Sequence, residues 1–258
     1  MSTEAIDRAA ILAIADILRS ASRVLFITGA GVSADSGLPT YRGIGGLYDV
    51  EVTPEGYPIE VALSGQMMRK KPEVCWKYIH QIEHACRGAK HNAAHAAIAA
   101  IERRIPGTWV LTQNVDRFHA AAGSRNVIEI HGNLADLHCT KCAWRKTVAD
   151  YAGLDIPPKC PTCSSLVRPK VVLFGETLPL GAIELLQREL ETGFDVVFSL
   201  GTTSVFPYIA APVAIAKRTG VPTIEINPGH SQVSDVVDIR LAARAAVAME
   251  AILAALGS

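Results

Sequence analysis

Apolar and polar positions along the chain follow two alternating rhythms. Over residues 4 to about 20, Ile6, Ala10, Ile11, Ala13, Ile14 and Ile17 recur at helical spacing and predict an amphipathic helix. Arg23-Val24-Leu25-Phe26-Ile27-Thr28 follows, a continuous apolar run of the kind that makes a buried strand. Comparable runs return at residues 108–111, 127–130, 169–176, 194–200 and 222–227. Between them, helical patterns occupy residues 71–82, with Pro72 tolerated in the first turn, then 92–98, 181–190, 208–217 and 241–256. Residues 50 to about 104 read as mainly helical. Strand and helix alternate at βαβ spacing elsewhere, so the main body is predicted to be an α/β fold with a doubly wound parallel sheet.

Two segments interrupt that alternation, and they set the predicted domains. Residues 1–37, 105–133 and 169–258 are predicted to form the main α/β body, 38–104 a loop and helical module, and 134–168 a cysteine module. The 258 residues suffice for a large and a small domain. Formal net charge is zero, which gives no support for a nucleic-acid partner held by a basic field. No apolar run approaches the ~20 residues that span a bilayer, so no membrane partner is expected. The acidic start Met1-Ser2-Thr3-Glu4-Ala5-Ile6-Asp7 lacks a basic-then-apolar signal pattern, and a cytoplasmic location is expected.

Chemistry-bearing residues sit where the strands end. The first strand runs into Gly29-Ala30-Gly31-Val32-Ser33-Ala34-Asp35-Ser36-Gly37. A glycine turn before a helix lets backbone approach a phosphate, and the helix start offers free N–H groups. The spacing departs from G-x-G-x-x-G and no acidic residue follows about twenty positions later, so a purely structural turn stays open. The loop 38–47 carries three glycines within four residues and reads as a lid or a connector. The run at 108–111 leads into Thr112-Gln113-Asn114-Val115-Asp116, and the run at 127–130 into His131-Gly132. Ligands of open α/β sheets sit beyond the carboxyl ends of strands, so Asn114, Asp116 and His131 are predicted to converge on one crevice. Histidine titrates near neutrality, which makes His131 the candidate base. Asn114 and Asp116 read as orienting groups. A second small-residue turn, Gly201-Thr202-Thr203-Ser204, closes the run at 194–200.

The six cysteines divide into two kinds. Cys139-x-x-Cys142 and Cys160-x-x-Cys163, seventeen residues apart, predict one tetrahedral zinc ion held by four thiolates. No coordination position is left open, so the metal is read as structural. Cys75 and Cys86 lie singly in a helical stretch. His91 and His95 share a helix face, without the intervening Glu of a zinc-protease helix, and are not read as a metal site.

These motifs, with Ser36-Gly37-Leu38-Pro39, Val171-Val172-x-Phe174-Gly175-Glu176 and Ile226-Asn227, stand in the order seen in sirtuins, which the chain resembles over nearly its whole length. The resemblance implies a Rossmann-like large domain and a smaller domain made of a helical insertion and a zinc-ribbon-like module. It implies an NAD-dependent protein lysine deacylase that acts on acylated-lysine proteins and transfers the acyl group to ADP-ribose, releasing nicotinamide. By this resemblance His131 is the general base, and Gln113, Asn114 and Asp116 line the nicotinamide-ribose pocket. Gly29, Ala30, Gly31, Ala34, Gly201, Thr202, Ser204, Asn227 and Ala245 hold the rest of NAD+, with Tyr41 and Arg42 on the cofactor-binding loop. Val172, Phe174, Gly175, Glu176 and Val205 are expected to sandwich the substrate backbone as an added strand.

The chain also resembles the branch that removes succinyl, malonyl and glutaryl groups, which carries Tyr-x-x-Arg in its acyl pocket. Here Tyr78 is followed by Gln81 at the arginine position, and a neutral amide makes no charge-assisted pair with an acyl carboxylate. An uncharged short acyl group is therefore expected. Desuccinylation, mono-ADP-ribosyl transfer and NAD sensing without catalysis are the alternatives. The chain is taken as a monomer.

Overall fold

The computed structural model describes residues 7–39 and 52–257. Helix α1 (Arg8–Ser20) starts where the Asp7 carboxylate accepts from the Ala9 and Ala10 N–H groups at 3.0 and 3.1 Å. Strand β1 (Arg23–Thr28) and the short α2 (Ala30–Ala34) follow. The helical insertion is α3 (Ile59–Ala62), α4 (Gly65–Lys70), α5 (Pro72–Cys86) and α6 (Ala93–Arg104). Then come β2 (Gly107–Thr112), α7 (Phe118–Ala121), β3 (Val127–Glu129), β4 (Gly132–Cys139), β5 (Arg145–Thr147) and β6 (Val167–Val171). The chain ends with α8 (Leu180–Thr192), β7 (Val196–Leu200), α9 (Pro207–Arg218), β8 (Thr223–Ile226), β9 (Ile239–Leu241) and α10 (Ala245–Gly257).

Six strands form one parallel sheet in the order β3-β2-β1-β7-β8-β9. The chain winds outward from β1 to β2 and β3, then returns to β1's other side with β7. The winding therefore reverses between β1 and β7, the place where open α/β sheets bind ligands. Both faces are covered. Ile14, Ile98, Ile101 and Ile252 of α1, α6 and α10 pack on one face with Phe26 and Phe198. Leu186, Ile209 and Val213 of α8 and α9 pack on the other with Ile27 and Leu111. Sandwiched strands must be apolar on both sides, which is why β1 and β7 read as unbroken apolar runs.

A second sheet, β5-β4-β6, is antiparallel. It shares a core with α3, α4 and α5: Trp76 is fully buried, tilted against Tyr151, and donates from Nε1 to Val167 O at 3.0 Å. The early helices and the cysteine module thus fold against each other.

Three expectations are corrected here. Helix α6, grouped by position with the 38–104 module, packs on α10 and the large sheet, because its Ala94, Ala97, Ile98 and Ile101 stripe faces that core. The run at 169–176 is no strand of the large sheet. Its first half completes β6 beside β4, and Phe174 then bridges Ser64 in parallel, with Phe174 N donating to Leu63 O and Gly65 N to Phe174 O. Ile239 and Leu241 form the edge strand β9 against Ile224 and Ile226, so the last helix begins only at Ala245.

Candidate active site

The crevice is built on two glycine turns that touch. Gly29 N donates to Leu200 O at 3.2 Å and Gly31 N to Gly201 O at 2.8 Å. A Cβ on Gly31 would lie 2.8 Å from Gly201 Cα, and one on Gly29 2.7 Å from Thr202 Cβ. Only glycine permits this approach. Gly201 and Ser204 both take positive φ, +54° each, which folds the second turn back over the first.

Residues at the end of β2 tie the turns together. Gln113 N donates to Thr28 O at 3.1 Å and its Nε2 to Thr202 Oγ1 at 2.9 Å. Asn114, only 4% exposed, donates from Nδ2 to Gly29 O at 3.0 Å and to Ser33 Oγ at 3.1 Å. Both amide protons are thereby committed to the glycine turn. Asp116 accepts from Ser33 Oγ at 2.7 Å and from Phe118 N at 2.9 Å. Burial pushes its carboxyl above the usual range. Asn227, at the end of β8, donates from Nδ2 to Thr202 O at 2.9 Å and braces the second turn.

His131 lies just beyond β3. Its Nδ1 is 3.1 Å from Gln113 O, and its Nε2 is 2.7 Å from the Tyr208 hydroxyl. Burial holds the imidazole below its ordinary range, with the Gln113 carbonyl opposing that shift. The ring is neutral near pH 7, as a general base must be. A cleft lined by Ala30, Ser33, Leu38, Asn114, Asp116 and Ile82 runs between the glycine turn and α5. Ser33, which joins Asn114 to Asp116, and Tyr208 were not among the sequence candidates. Ser33 stood inside a quoted motif, whereas Tyr208 lay in a helix with no chemical signature.

Other candidates stand at varying distance from this centre. Ala34 lies on α2. Ala245 begins α10 and is buried in the core, where the neighbouring Ala246 N donates to Asp35 Oδ2 at 2.9 Å. Phe174, Gly175 and Val205 are exposed, while Val172 N donates to His131 O at 2.9 Å. The side chain of Glu176, a residue expected to meet the substrate through its main chain, is engaged internally. Its carboxylate pairs with Arg168 at 2.7 and 2.9 Å and accepts from Leu173 N at 3.0 Å. Tyr78 is buried and its hydroxyl donates to Glu55, which also pairs with Lys77. Those two bonds hold the Glu55 carboxyl down to about 2. Gln81 is exposed on α5. Tyr41 and Arg42 lie outside the described residues. His95 is fully buried and takes part in capping α6, accepting from Asn92 N at Nδ1.

The four cysteines of the knuckles meet at one point. Their sulfurs all lie within 4.8 Å of one another, with Cys139–Cys163 at 3.4 Å and Cys142–Cys160 at 3.6 Å. A tetrahedral zinc with ~2.3 Å bonds needs sulfur–sulfur edges of ~3.8 Å, so the donor set fits one ion closed to further ligands.

Fold and site together define a dinucleotide-binding α/β protein with a histidine at the switch-point crevice and a four-cysteine zinc site in its small unit. The description "Sir2 family" matches residues 29–207. An "NAD-dependent protein deacylase 2" of Pseudomonas aeruginosa is 50% identical over 243 residues, covering 91% of this chain and 93% of its own. One of the same description from Pseudomonas syringae pv. tomato is 52% identical over 238 residues, covering 91% and 96%. A crystal structure of a Sir2 homolog–NAD complex superposes with a TM-score of 0.84 at 36% identity, covering 97% of this chain and 94% of that one. The chain belongs to the Sir2 family.

Proposed function

We propose that the chain is an NAD-dependent protein lysine deacylase that passes the acyl group to ADP-ribose, with His131 as general base. The observation that carries this reading is the imidazole at the switch-point crevice with its Nδ1 3.1 Å from Gln113 O, an atom that can only accept, which puts the ring proton on Nδ1 and leaves Nε2 to act as base. NAD+, when bound, supplies an electrophilic ribose carbon and nicotinamide as leaving group. The touching glycine turns lie at the sheet's switch point, beyond the carboxyl ends of β1 and β7, where open α/β sheets hold a dinucleotide. Asn114, Ser33 and Asp116 fix the first turn, Thr202 and Asn227 the second. His131 Nε2 would take the proton of a ribose hydroxyl when NAD+ is bound. The exposed Gly175 and Val205 offer edges on which a substrate peptide pairs through its main chain, while the Phe174 main chain is already bonded to Leu63 and Gly65. Cys139, Cys142, Cys160 and Cys163 hold the structural zinc.

Uncharged short acyl groups are the proposed substrates. Gln81 brings no positive charge, and the Tyr78 hydroxyl is already bonded to an ionised carboxylate, Glu55, beside which a second carboxylate is disfavoured. The use of cysteines as metal ligands supports a reducing, cytoplasmic setting. Among the described residues no helix is long and apolar enough to cross a membrane.

A panel of acyl-lysine peptides, assayed with and without NAD+, tests the reading. Acetyl-lysine turnover should require NAD+ and exceed succinyl-lysine turnover at least tenfold. His131→Ala should lose about a hundredfold or more of the deacylation while still binding NAD+. Deacylation that survives His131→Ala would refute the assigned base.

A further inference from the structure

The imidazole assigned as base is held at both nitrogens. Gln113 O can only accept, so the 3.1 Å contact to His131 Nδ1 places the ring proton on Nδ1. The neutral ring then has its lone pair at Nε2, and the Tyr208 hydroxyl donates to it at 2.7 Å. Ring packing steers the phenol there. Tyr208 stacks on Phe206 with centroids 5.5 Å apart and planes 12° apart, and both rings meet His131 edge-on at 5.9 Å. Tyr208 itself is fixed by the first turn of α9. Among the described residues the hydrogen-bond partners of the imidazole are the Gln113 carbonyl and this phenol, and Tyr208 is the titratable one; Phe206 adds only an apolar ring. Burial keeps the phenol protonated, as a donor must be.

One lone pair cannot accept from two hydroxyls. The nitrogen that takes a ribose proton is, in this structure, already bonded to Tyr208. We propose that Tyr208 is a positioning residue that caps the base: its hydroxyl holds His131 Nε2 in the resting protein and gives way to the substrate hydroxyl. The inference rests on the deacylase reading above. The cap has two consequences. It stabilises the neutral imidazole in the Nδ1–H tautomer, so the base arrives deprotonated. It also sets a hydrogen bond that must open before proton transfer.

The test compares the full chain with its Tyr208→Phe variant, which keeps the ring and removes only the hydroxyl. The His131 pKa is read in the ligand-free protein from its ring resonances, and the pH profile of kcat/KM for NAD+ at saturating acetyl-lysine peptide is recorded beside it. Losing a donor to the neutral form raises the pKa. The resonance titration and the acidic limb should both move up by about half to one pH unit, a three- to tenfold gain in proton affinity. The plateau of kcat/KM should not fall. A pKa and limb at the wild-type position would overturn the cap, and so would a plateau loss beyond tenfold, which would make Tyr208 an obligatory relay. In the wild-type protein, 15N resonances should show a protonated Nδ1 and a bare Nε2; the opposite tautomer overturns the proposal without any variant. Wild-type protein inactive on every acyl peptide would refute the deacylase reading, while the resonance measurements would still judge the cap.

Discussion

Acid should unstitch the molecule at His95 before it reaches the carboxylates. This imidazole is fully buried, edge-on to Phe118 and beside His119, with Nδ1 accepting from Asn92 N at 3.2 Å. A proton on Nδ1 would set two donors against each other at the start of α6. Burial, and secondarily the charge of His91, hold its pKa to about 4. The unfolded chain binds that proton near pH 6.5, and the gap amounts to about 3 kcal/mol. The sign follows from which state binds the proton. The fold favours neutral His95, so its contribution is complete above about pH 6.5 and drains away as pH falls towards about 4. Urea unfolding followed by tryptophan fluorescence between pH 7.5 and 5 measures it, with His95→Gln as reference. Glutamine retains an acceptor and does not titrate. Between pH 6 and 5 the wild-type stability should fall by about 1.2 kcal/mol more than the variant's. His119 is present in both proteins and largely cancels. Parallel curves would refute the reasoning, because they would mean that folded His95 binds its proton as readily as the unfolded residue.

Two further outcomes are expected. Stripping zinc with a chelator should release one ion per chain and expose Trp76, which rests on Val167 and Tyr151, so its emission should shift red while most helical signal persists; unchanged emission after complete removal would contradict a structural metal. Gly31→Ala would push a Cβ to 2.8 Å from Gly201, so NAD+ affinity should drop tenfold or more and stability by about 1–3 kcal/mol, read by calorimetry and urea unfolding; wild-type affinity would show that the turns need not touch.

The alternation of strands and helices was legible because sandwiched parallel strands must be largely apolar on both faces, as β1, β2 and β7 are, whereas β8 alternates its isoleucines with the buried Thr223 and Glu225. Asn114, Asp116 and His131 were expected together from their place at strand ends; Asn114 and Asp116 meet on Ser33, and His131 reaches the neighbouring Gln113 carbonyl. What escaped has a common cause. The ion pair of Glu176 with Arg168 was not foreseen, because it forms only when β6 turns back towards α4. Helix α6 carries an alanine-rich apolar stripe that suits either core equally, and only tertiary packing decides between them. Strand β9 is three residues long, too short to display a period. Ser33 and Tyr208 act through single hydrogen bonds between segments far apart in sequence, and no local pattern announces those.

The chain crosses between its two cores at the very residues that matter most. Leu111 is buried in the large sheet's core and Val115 in the small unit's core, with Thr112, Gln113 and Asn114 between them. Likewise Ile130 belongs to the large core and Leu134 to the small one, with His131 between, and Leu134 N donates to Val115 O at 3.1 Å to lock the two crossings side by side. His131 and its carbonyl partner are therefore spans of a double bridge whose abutments are different cores, one under a sheet and one beside the four-cysteine knot. Strain applied to either abutment is felt first at the bridge. A change deep in the small unit, far from any ligand, can retune the proton chemistry without altering a single catalytic side chain.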